Sequence, residues 1–501
     1  MTKKDWFRLK RYPHIGTPLV PSDRNWVYDY VKNPDKIKSH AFFPFIHKTI
    51  TVRKFRREKQ PDGSRSEFRK PSQKVRHIYY ANHLDSNIYG FYANKLSSAY
   101  EARLRELELE DCVTAYRRIP LNPANPKSRN KCNIDFASEV FEFIKGSGND
   151  ELVAITFDIK SFFDNLNHKY LKKAWRGVVG KGLDLDDDHY NVFRNITKFS
   201  FVEERDIFSE FKNEIIIETK SKLQKKGKVT RRKYLKNRGA VAFCTKDVIS
   251  DRIREKNLIK SNKYSDSSRG QLREKGIPQG SPISSVLANI YLLNFDHEIN
   301  TLIKQFNGMY RRYSDDMVVV CEAQYEQAVI DLLNFEIGKC QLCFQSDKTQ
   351  VFRFSKIENR YNCQEKNLQT GSLQSNTKFE YLGFSFDGKH TYLKTASLAS
   401  YYRKLKRSVR RGKFFSRFGN EKNRQEIFKR RLYKKYTYLG AGRKRVYKRD
   451  PLHSNRWKVS HKYDWGNYIS YAGMAANIIP DNKIASQVSR HWKKVHALLK
   501  A

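Results

Sequence analysis

The sequence has no run of about 20 apolar residues, the length that a membrane-spanning helix requires. Its first residues, MTKKDWFRLKRYPHIG, carry positive charge without an apolar segment behind them, so we expect no secretory signal. Cysteine is scarce as well: seven residues in 501, irregularly spaced and odd in number, make no disulfide framework. These absences favour a cytoplasmic protein that is kept reduced and has no membrane partner.

The cysteines also give little support to a metal site. Cys340 and Cys343 form a C-x-x-C pair, but a zinc site would need a second pair, and only the distant Cys363 and His390 are available. The segment CQLCF alternates like a strand, so we predict structural cysteines there.

Acidic residues are few relative to basic ones. The chain has 98 Lys and Arg against 53 Asp and Glu, a net charge of +45. Such self-repulsion destabilises a compact state unless a polyanion neutralises it. With 39% hydrophobic and 13% aromatic residues, however, the chain is too apolar to be a disordered basic tail. We therefore expect a folded protein of roughly two to four structural units whose partner is nucleic acid.

In the first half of the chain, two stretches have patterns that predict secondary structure, and a third stretch has no regular pattern. The basic run 52–70 surrounds a Pro-Asp-Gly turn at 61–63, which predicts a hairpin with charged arms. Residues 82–110 have the spacing of one or two amphipathic helices. The segment 165–275 is long and irregular, and it contains the basic cluster 220–238.

The remaining pattern predicts an α+β core of the split βαβ type followed by a basic helical region. In one helix, Ser281 is placed as N-cap and Pro282 at the first helical position. The predicted elements are a buried strand in 152–164, a helix at 281–303, two strands around an acidic turn at 309–322, a helix at 324–338, a strand at 341–354, a hairpin at 378–393, and basic, aromatic helices from about 395 onward.

Carboxylates stand at the ends of two of these strands. Asp158 follows the apolar run VAITF, and Asp315 and Asp316 lie in the turn of YSDD. When carboxylates are held close together, their mutual repulsion disfavours ionisation of all of them at once. A bound divalent cation makes the ionised state of these carboxylates favourable. Two Mg²⁺ ions about 4 Å apart can activate a 3′-hydroxyl and stabilise a leaving pyrophosphate. Taken singly, each site is more often an ordinary turn or helix cap, and it is the pair in one chain that favours a metal site.

Between these carboxylates lies the segment GIPQGSPISSVLANIYL, residues 276–292. Gly276 and Gly280 flank Pro278-Gln279, so the backbone carries little side-chain bulk and can lie under a base pair. Gln279 offers both a donor and an acceptor beside a template strand. The alternative is an ordinary loop that leads into a helix.

Together these segments resemble the reverse transcriptase palm. FDIKSFFDNLNH, GIPQGSPISSVLANIYL, RRYSDD, DKT at 347–349 and KFEYLGFSF at 378–386 occur in the order of that family, over roughly residues 70–395. The chain is similar to the bacterial branch, which includes group II intron proteins, retrons and defence-associated (unknown-group and abortive-infection) enzymes; the last are nearest in type.

The resemblance implies a right-hand polymerase with a basic, mainly helical thumb. The expected division is an N-terminal extension at 1–70, fingers at 71–150, a palm at 151–395 with a basic insertion around 180–270, and a thumb with C-terminal region at 396–501.

The resemblance also assigns catalytic roles. Asp158, Asp315 and Asp316 are implied as catalytic, metal-binding carboxylates for two Mg²⁺ ions, with Mn²⁺ as the alternative. Tyr313 is implied to pack beside the primer end. Lys348 occupies the position of a lysine that protonates pyrophosphate, although a solvated surface lysine is an equal reading.

Further residues are implied to bind the nucleotide and template. Phe163 stands where the family places an aromatic gate against a ribose 2′-hydroxyl, which implies dNTP substrates; Phe162 or Phe163 could instead be core. Arg76 and Arg117 are candidates for gripping the triphosphate, since guanidinium groups suit phosphates. Gln279 is placed beside the template.

The sequence thus predicts an RNA-directed DNA polymerase that copies an RNA template, expected to be a dedicated noncoding RNA, into a DNA product. The absence of an HNH-like Cys/His set or a separate nuclease cluster favours a retron-like or antiviral defence-type enzyme over an autonomous mobile element. The alternatives are a maturase-like binder of structured RNA and a template-independent or protein-primed polymerase. A homo-oligomer is left open.

Overall fold

The protein is described by a computed structural model. The described residues are 6–60, 64–125, 128–180, 184–219, 223–262, 273–358, 360–418, 427, 429–437, 445–449, 457–463 and 466–500.

The α-helices of these residues are α1 (Arg24–Lys32), α2 (Pro34–Lys38), α3 (His83–Glu106), α4 (Asn133–Gly146), α5 (Phe162–Asn165), α6 (His168–Val179), α7 (Asp187–Thr197), α8 (Glu204–Phe211), α9 (Leu235–Arg238), α10 (Ser284–Tyr291), α11 (Leu293–Gln305), α12 (Glu326–Lys339), α13 (Thr395–Phe418), α14 (Lys429–Tyr436), α15 (Tyr468–Ile478), α16 (Ile484–Val488) and α17 (His491–Lys500). The strands are β1 (His14–Ile15), β2 (Phe45–Lys59), β3 (Arg65–Tyr80), β4 (Glu151–Asp158), β5 (Ser200–Glu203), β6 (Ile215–Glu218), β7 (Gln224–Gly227), β8 (Ala240–Cys244), β9 (Ile259–Ser261), β10 (Met309–Tyr313), β11 (Asp316–Glu322), β12 (Gln350–Ile357), β13 (Arg360–Lys366), β14 (Leu373–Gln374), β15 (Phe379–Tyr381), β16 (Phe384–Phe386), β17 (Thr391–Leu393), β18 (Arg445–Arg449) and β19 (Trp457–Tyr463).

The chain divides into two compact units, each made of three separate segments. The first unit comprises Met1–Arg117, Thr156–Val318 and Gln327–Thr349, and the second comprises the rest of the chain. A six-stranded sheet has the order β10–β11–β4–β12–β13–β14. The predicted α+β class is thereby confirmed, as are the buried strand that ends at Asp158 and the strand pair around the acidic turn.

The first unit contains the predicted hairpin. Strands β2 and β3 pair antiparallel from Ile46 opposite Tyr80 to Lys59 opposite Arg65. The turn at 61–63 lies outside the described residues. Strand β5 pairs with β2 only at its first three residues, 45–47, and the sheet ends with β9. The boundary that we predicted at residue 70 falls within β3.

The segment 165–275, which we expected to be irregular, is folded through most of its described length. It supplies α6 to α9 and β5 to β9, and three of its strands join β1 in a sheet of order β1–β8–β6–β7. Phe211, Ile215 and Phe243 are buried in one hydrophobic cluster with Ile15. The strands were missed because each spans only three to five residues, too few for a clear alternation.

The helix predicted at 281–303 is two helices, α10 and α11, which meet at Leu292. Ser281 is not the N-cap, because residues 281–283 form a turn and α10 begins at Ser284. The Ser284 hydroxyl instead donates to the carbonyl of Pro278 at 2.7 Å, which ties the helix start to the preceding glycine-flanked loop.

The C-terminal part of the second unit is helical, as predicted, except for one hairpin. Helices α13 and α14 bury Tyr401, Leu405 and Tyr436 in a common cluster. Strands β18 and β19 pair antiparallel within the region that we expected to be mainly helical. Cysteines are all free thiols, and burial raises the pKa of Cys340 to about 11. Across the described residues, every helix is too short or too polar to cross a bilayer.

Candidate active site

Asp158 is held at the end of β4 by the segment that precedes β12. Its carbonyl accepts a hydrogen bond from the Gln345 amide at 2.8 Å, and the Lys160 amide donates to the Cys343 carbonyl at 3.0 Å. The buried residues Val153 and Ile155 anchor the strand in the core. The carboxylate therefore has a fixed backbone, and its side chain is 19% exposed.

Lys348 lies directly at this carboxylate. Its ammonium nitrogen donates to Asp158 Oδ2 at 2.6 Å, and its side chain is 44% exposed. Exposed ion pairs contribute only about 0–1 kcal/mol to stability. A divalent cation, with its higher charge, can therefore displace the Lys348 ammonium from Asp158. Asp158 and Lys348 are 190 positions apart in the sequence, and the structure brings their side chains into contact, as expected for two residues of one site.

The turn between β10 and β11 carries the other carboxylates. Ser314 has a left-handed backbone, with φ of +64°, and is buried. Its hydroxyl lies 3.0 Å from that of Tyr116. Asp315 is half-buried, Asp316 is exposed, and Tyr313 is the half-buried last residue of β10. The turn is therefore fixed through its buried serine while its acidic side chains reach the surface.

A buried ion pair stands behind this turn. Arg312 is fully buried and forms a two-pronged pair with Asp296 of α11, with distances of 2.7 and 2.5 Å. The guanidinium also donates to the carbonyl of Ser314 at 3.2 Å, and the hydroxyl of Tyr310 donates to Asp296 at 2.7 Å. Burial alone would lower the pKa of Arg312, but the Asp296 carboxylate raises it overall. The Arg312 guanidinium therefore stays protonated and positively charged.

Our sequence reasoning missed this pair. A signal was present in the alternation of YRRY, which turns Tyr310 and Arg312 to the same buried face of β10. Asp296 was the second signal, because its spacing places it on the same face of α11 as Ile299 and Ile303, where an apolar residue is expected.

Asp158 and the acidic turn lie at the same end of the sheet. Strands β4 and β11 are neighbours, and the last three residues of β4 and the first three of β11 belong to the first unit, whereas their opposite ends belong to the second. The C-terminal end of β4 therefore lies beside the N-terminal end of β11.

This end of the sheet has the donors for a hard divalent cation. Among the residues that the structure describes, no three His, Cys, Asp or Glu side chains are gathered into a metal-binding group. Mg²⁺ usually takes one or two carboxylates, with substrate phosphates and water completing the shell. The oxygen donors of Asp158 and Asp315 fit Mg²⁺ or Mn²⁺ in that form.

The loop at 276–280 is fixed on both sides. The amide of Ile277 donates to the Phe163 carbonyl at 2.9 Å, and the Tyr79 amide donates to the Gln279 carbonyl at 2.8 Å. Gly280 has φ of +117°, and a Cβ there would lie 2.7 Å from the Tyr79 carbonyl, so only glycine fits. Gln279 is therefore held between β3 and α5.

The two adjacent phenylalanines of α5 differ in exposure. Phe162 is 3% exposed and belongs to the core, whereas Phe163 is half-buried. Their ring centroids are 5.6 Å apart. The residue implied as a gate is thus the one that reaches the surface, and its role stays a prediction.

The two predicted phosphate-gripping arginines lie in different settings. Arg76 is exposed on β3, opposite Ile50. Arg117 is committed to its own surroundings: it pairs with both carboxylate oxygens of Glu101 at 2.8 and 2.7 Å and donates to the Val113 carbonyl at 2.6 Å. With its side chain only 5% exposed, Arg117 is a structural residue here, and we do not retain it as a triphosphate ligand.

Comparison with known families identifies the domain. Residues 213–386 match the family model described as reverse transcriptase (RNA-dependent DNA polymerase). This segment of the chain is similar to the reverse transcriptase family. The match includes the 276–280 loop, the 313–316 turn and Lys348, and it begins after Asp158. Enzymes of this family are nucleotidyltransferases, and the α+β architecture around the domain is the right-hand polymerase fold predicted from the sequence.

Solved structures that resemble the chain include two yeast telomerases. Truncated apo telomerase from Candida tropicalis is 12% identical, with 64% of this chain and 52% of that chain covered and a TM-score of 0.36. Telomerase from Candida albicans in complex with a TWJ fragment of telomeric RNA is 14% identical, with 95% and 63% covered and a TM-score of 0.34. The chain spans about half the length of the first. No curated protein sequence matches it.

Proposed function

We propose that the protein is an RNA-directed DNA polymerase that adds dNTPs to a 3′-end under the direction of an RNA template. The observation that carries this proposal is the pairing of β4 with β11, which brings Asp158 and the Asp315 turn to one end of the sheet in a chain with a reverse transcriptase domain.

In this proposal the residues at the end of the sheet that carries Asp158 have two roles, metal binding and proton donation. Asp158 and Asp315, with Asp316 beside them, would hold Mg²⁺, which when bound supplies activation of the 3′-hydroxyl and neutralises phosphate charge. Lys348 is close enough to Asp158 to serve the same centre, as a proton donor to the departing pyrophosphate.

The fixed loop at 276–280 and the half-buried Phe163 serve substrate selection in the same proposal. Gln279 would lie along the template, since the Tyr79 and Phe163 backbones hold its loop on both sides. Phe163 would exclude the ribose 2′-hydroxyl, and exposed Arg76 would contact the triphosphate. Tyr313 would pack at the primer end.

We further propose that the enzyme is of the bacterial, defence-associated type and copies a dedicated noncoding RNA. The support is the motif series from FDIKSFFDNLNH to KFEYLGFSF, which resembles that group. Sequencing the nucleic acid that co-purifies with the protein tests the template. Phage plating with wild-type and Asp315→Asn protein tests the role: equal plating on both strains contradicts a defence function that needs DNA synthesis.

The activity itself is tested by primer extension on an RNA template. We expect products with dNTPs and Mg²⁺, none after EDTA, and recovery when Mg²⁺ or Mn²⁺ is restored. Omitting the complementary dNTP should stop extension at the matching template base. Extension that ignores the template sequence contradicts RNA-directed synthesis and favours the template-independent alternative.

Replacing Phe163 with Ala should increase rNTP incorporation relative to dNTP incorporation by roughly 10- to 100-fold, the range typical for steric discrimination in a pocket. The comparison is the ratio of kcat/KM for the two nucleotides. Phe335→Ala is the matched control, because that ring is 62% exposed on α12. An unchanged ratio in Phe163→Ala with dNTP activity intact contradicts the gate.

A further inference from the structure

The β2–β3 hairpin extends well beyond its sheet. Strand β5 pairs with β2 only through residue 47, while β2 and β3 continue to pair with each other as far as Lys59 and Arg65. We call residues 48–59 and 65–77 the ribbon. From Tyr79 at its base to Arg69 the strand covers ten residues, roughly 33 Å. Along this length β2 and β3 pair only with each other, and the ribbon presents two broad faces.

The ribbon has an unbalanced charge. It contains eleven Lys and Arg against two Glu. Arg57 lies directly opposite Arg69 in the register, a like-charge arrangement that destabilises a strand pair. Two-stranded hairpins are only marginally stable in water, so this repulsion matters. A polyanion bound along the ribbon would remove it.

Each face of the ribbon carries one exposed phenylalanine among exposed cations. Because neighbouring residues of a strand alternate between faces, Phe55 shares its face with Arg53, Arg57 and Arg69. Phe55 is 63% exposed, and it lies opposite Pro71, which offers no backbone donor.

The other face repeats this arrangement. Phe68 is 76% exposed and shares its face with Lys70, Lys74 and Arg76, all of which are exposed. Rings exposed to this degree carry a cost in water that a stacking partner would remove. Both faces therefore combine a stacking ring with a row of positive charge.

We propose that the ribbon is a binding surface for single-stranded RNA, with bases stacked on Phe55 and Phe68 and phosphates along the cations. Interleaved aromatic and basic side chains are the general means of holding single strands, since every base has a face that stacks. An RNA duplex hides its bases and would engage the charges alone. A membrane surface is flat and would meet one face, whereas both faces are equipped here. The proposal does not rest on the proposed polymerase activity, because binding is measured without nucleotides.

The aromatic part is tested with Phe55→Ala/Phe68→Ala in the full chain. We expect its affinity for an oligouridine to fall about tenfold or more, because a stacked base contributes this much, and its affinity for duplex RNA to stay unchanged. Phe335→Ala is the control. Equal affinity for the oligouridine in the double variant and the control overturns the proposal.

The charged part is tested with Arg53→Gln/Arg57→Gln/Arg69→Gln. Each phosphate contact on a single strand contributes about 0.7 to the slope of log affinity against log salt, so the slope should fall by about two. The control is Arg105→Gln/Lys304→Gln/Lys339→Gln, three cations exposed on other helices. An equal slope in both triple variants overturns the proposal.

Two further measurements locate the contact independently of any variant. Cross-linking of a 4-thiouridine oligonucleotide should label peptides from 48–77, and labelling confined to other peptides contradicts the proposal. Vesicles of anionic phospholipid should not compete with the oligouridine; full competition would assign the ribbon to a membrane surface instead.

Discussion

Asp315→Asn is expected to lower RNA-templated dNTP incorporation by at least about a thousandfold, which corresponds to about 4 kcal/mol of transition-state stabilisation. The substitution keeps the size and hydrogen-bonding capacity of the side chain but removes the charge that would hold a divalent cation at the end of β11. Because Asp315 is half-buried in a turn fixed through Ser314, the backbone should be preserved.

The measurement is single-turnover primer extension, with oligouridine binding as the check that the protein is intact. Asp331→Asn is the matched control, since this aspartate is exposed on α12 and accepts a hydrogen bond from Gln327. Near-normal extension by Asp315→Asn would remove the basis of the proposed catalysis. Oligouridine binding should be the same in both variants, which separates this test from that of the ribbon.

Arg312→Met is expected to lower the free energy of unfolding by about 3–5 kcal/mol, because it leaves the buried Asp296 carboxylate without its ion-pair partner. It also removes the hydrogen bond to the Ser314 carbonyl, so we expect extension activity to fall even where the protein stays folded. Urea unfolding at constant temperature measures the first effect and primer extension the second.

Two comparisons make this test specific. Arg311→Met changes the neighbouring, half-buried arginine and should cost much less. Arg312→Met/Asp296→Leu removes both charges and should recover much of the lost stability, since an apolar pair of similar volume is tolerated, without restoring activity. A single Arg312→Met variant as stable as Arg311→Met would contradict the structural importance of the pair.

Elements with a strong period were predictable from the sequence. The amphipathic spacing of 82–110 gave α3, the apolar run before Asp158 gave β4, and the two short alternating runs around the acidic turn gave β10 and β11. These elements also carry most of the candidate site, which is why Asp158, Asp315 and the loop at 276–280 could be named in advance.

Other features depend on contacts that no local pattern encodes. The strand predicted at 341–354 begins only at Gln350, because residues 346–348 form a short turn of helix that brings Lys348 to Asp158. Local sequence likewise does not show whether an arginine is free to bind a ligand or is already held in an ion pair, because its partner lies elsewhere in the sequence. Arg117 is engaged by Glu101 of α3, sixteen residues earlier.

The division of the chain restricts how the protein can be made and cut. The polypeptide passes between the two units five times, and strands β4 and β11 each contain one of these passages. During synthesis the first unit is complete only after Thr349 has left the ribosome, and the second only after the segment 350–501 has followed. No single cleavage separates one unit from the other, so shortened forms ending at residue 150 or 395 would leave at least one unit incomplete, expose apolar surface and should aggregate.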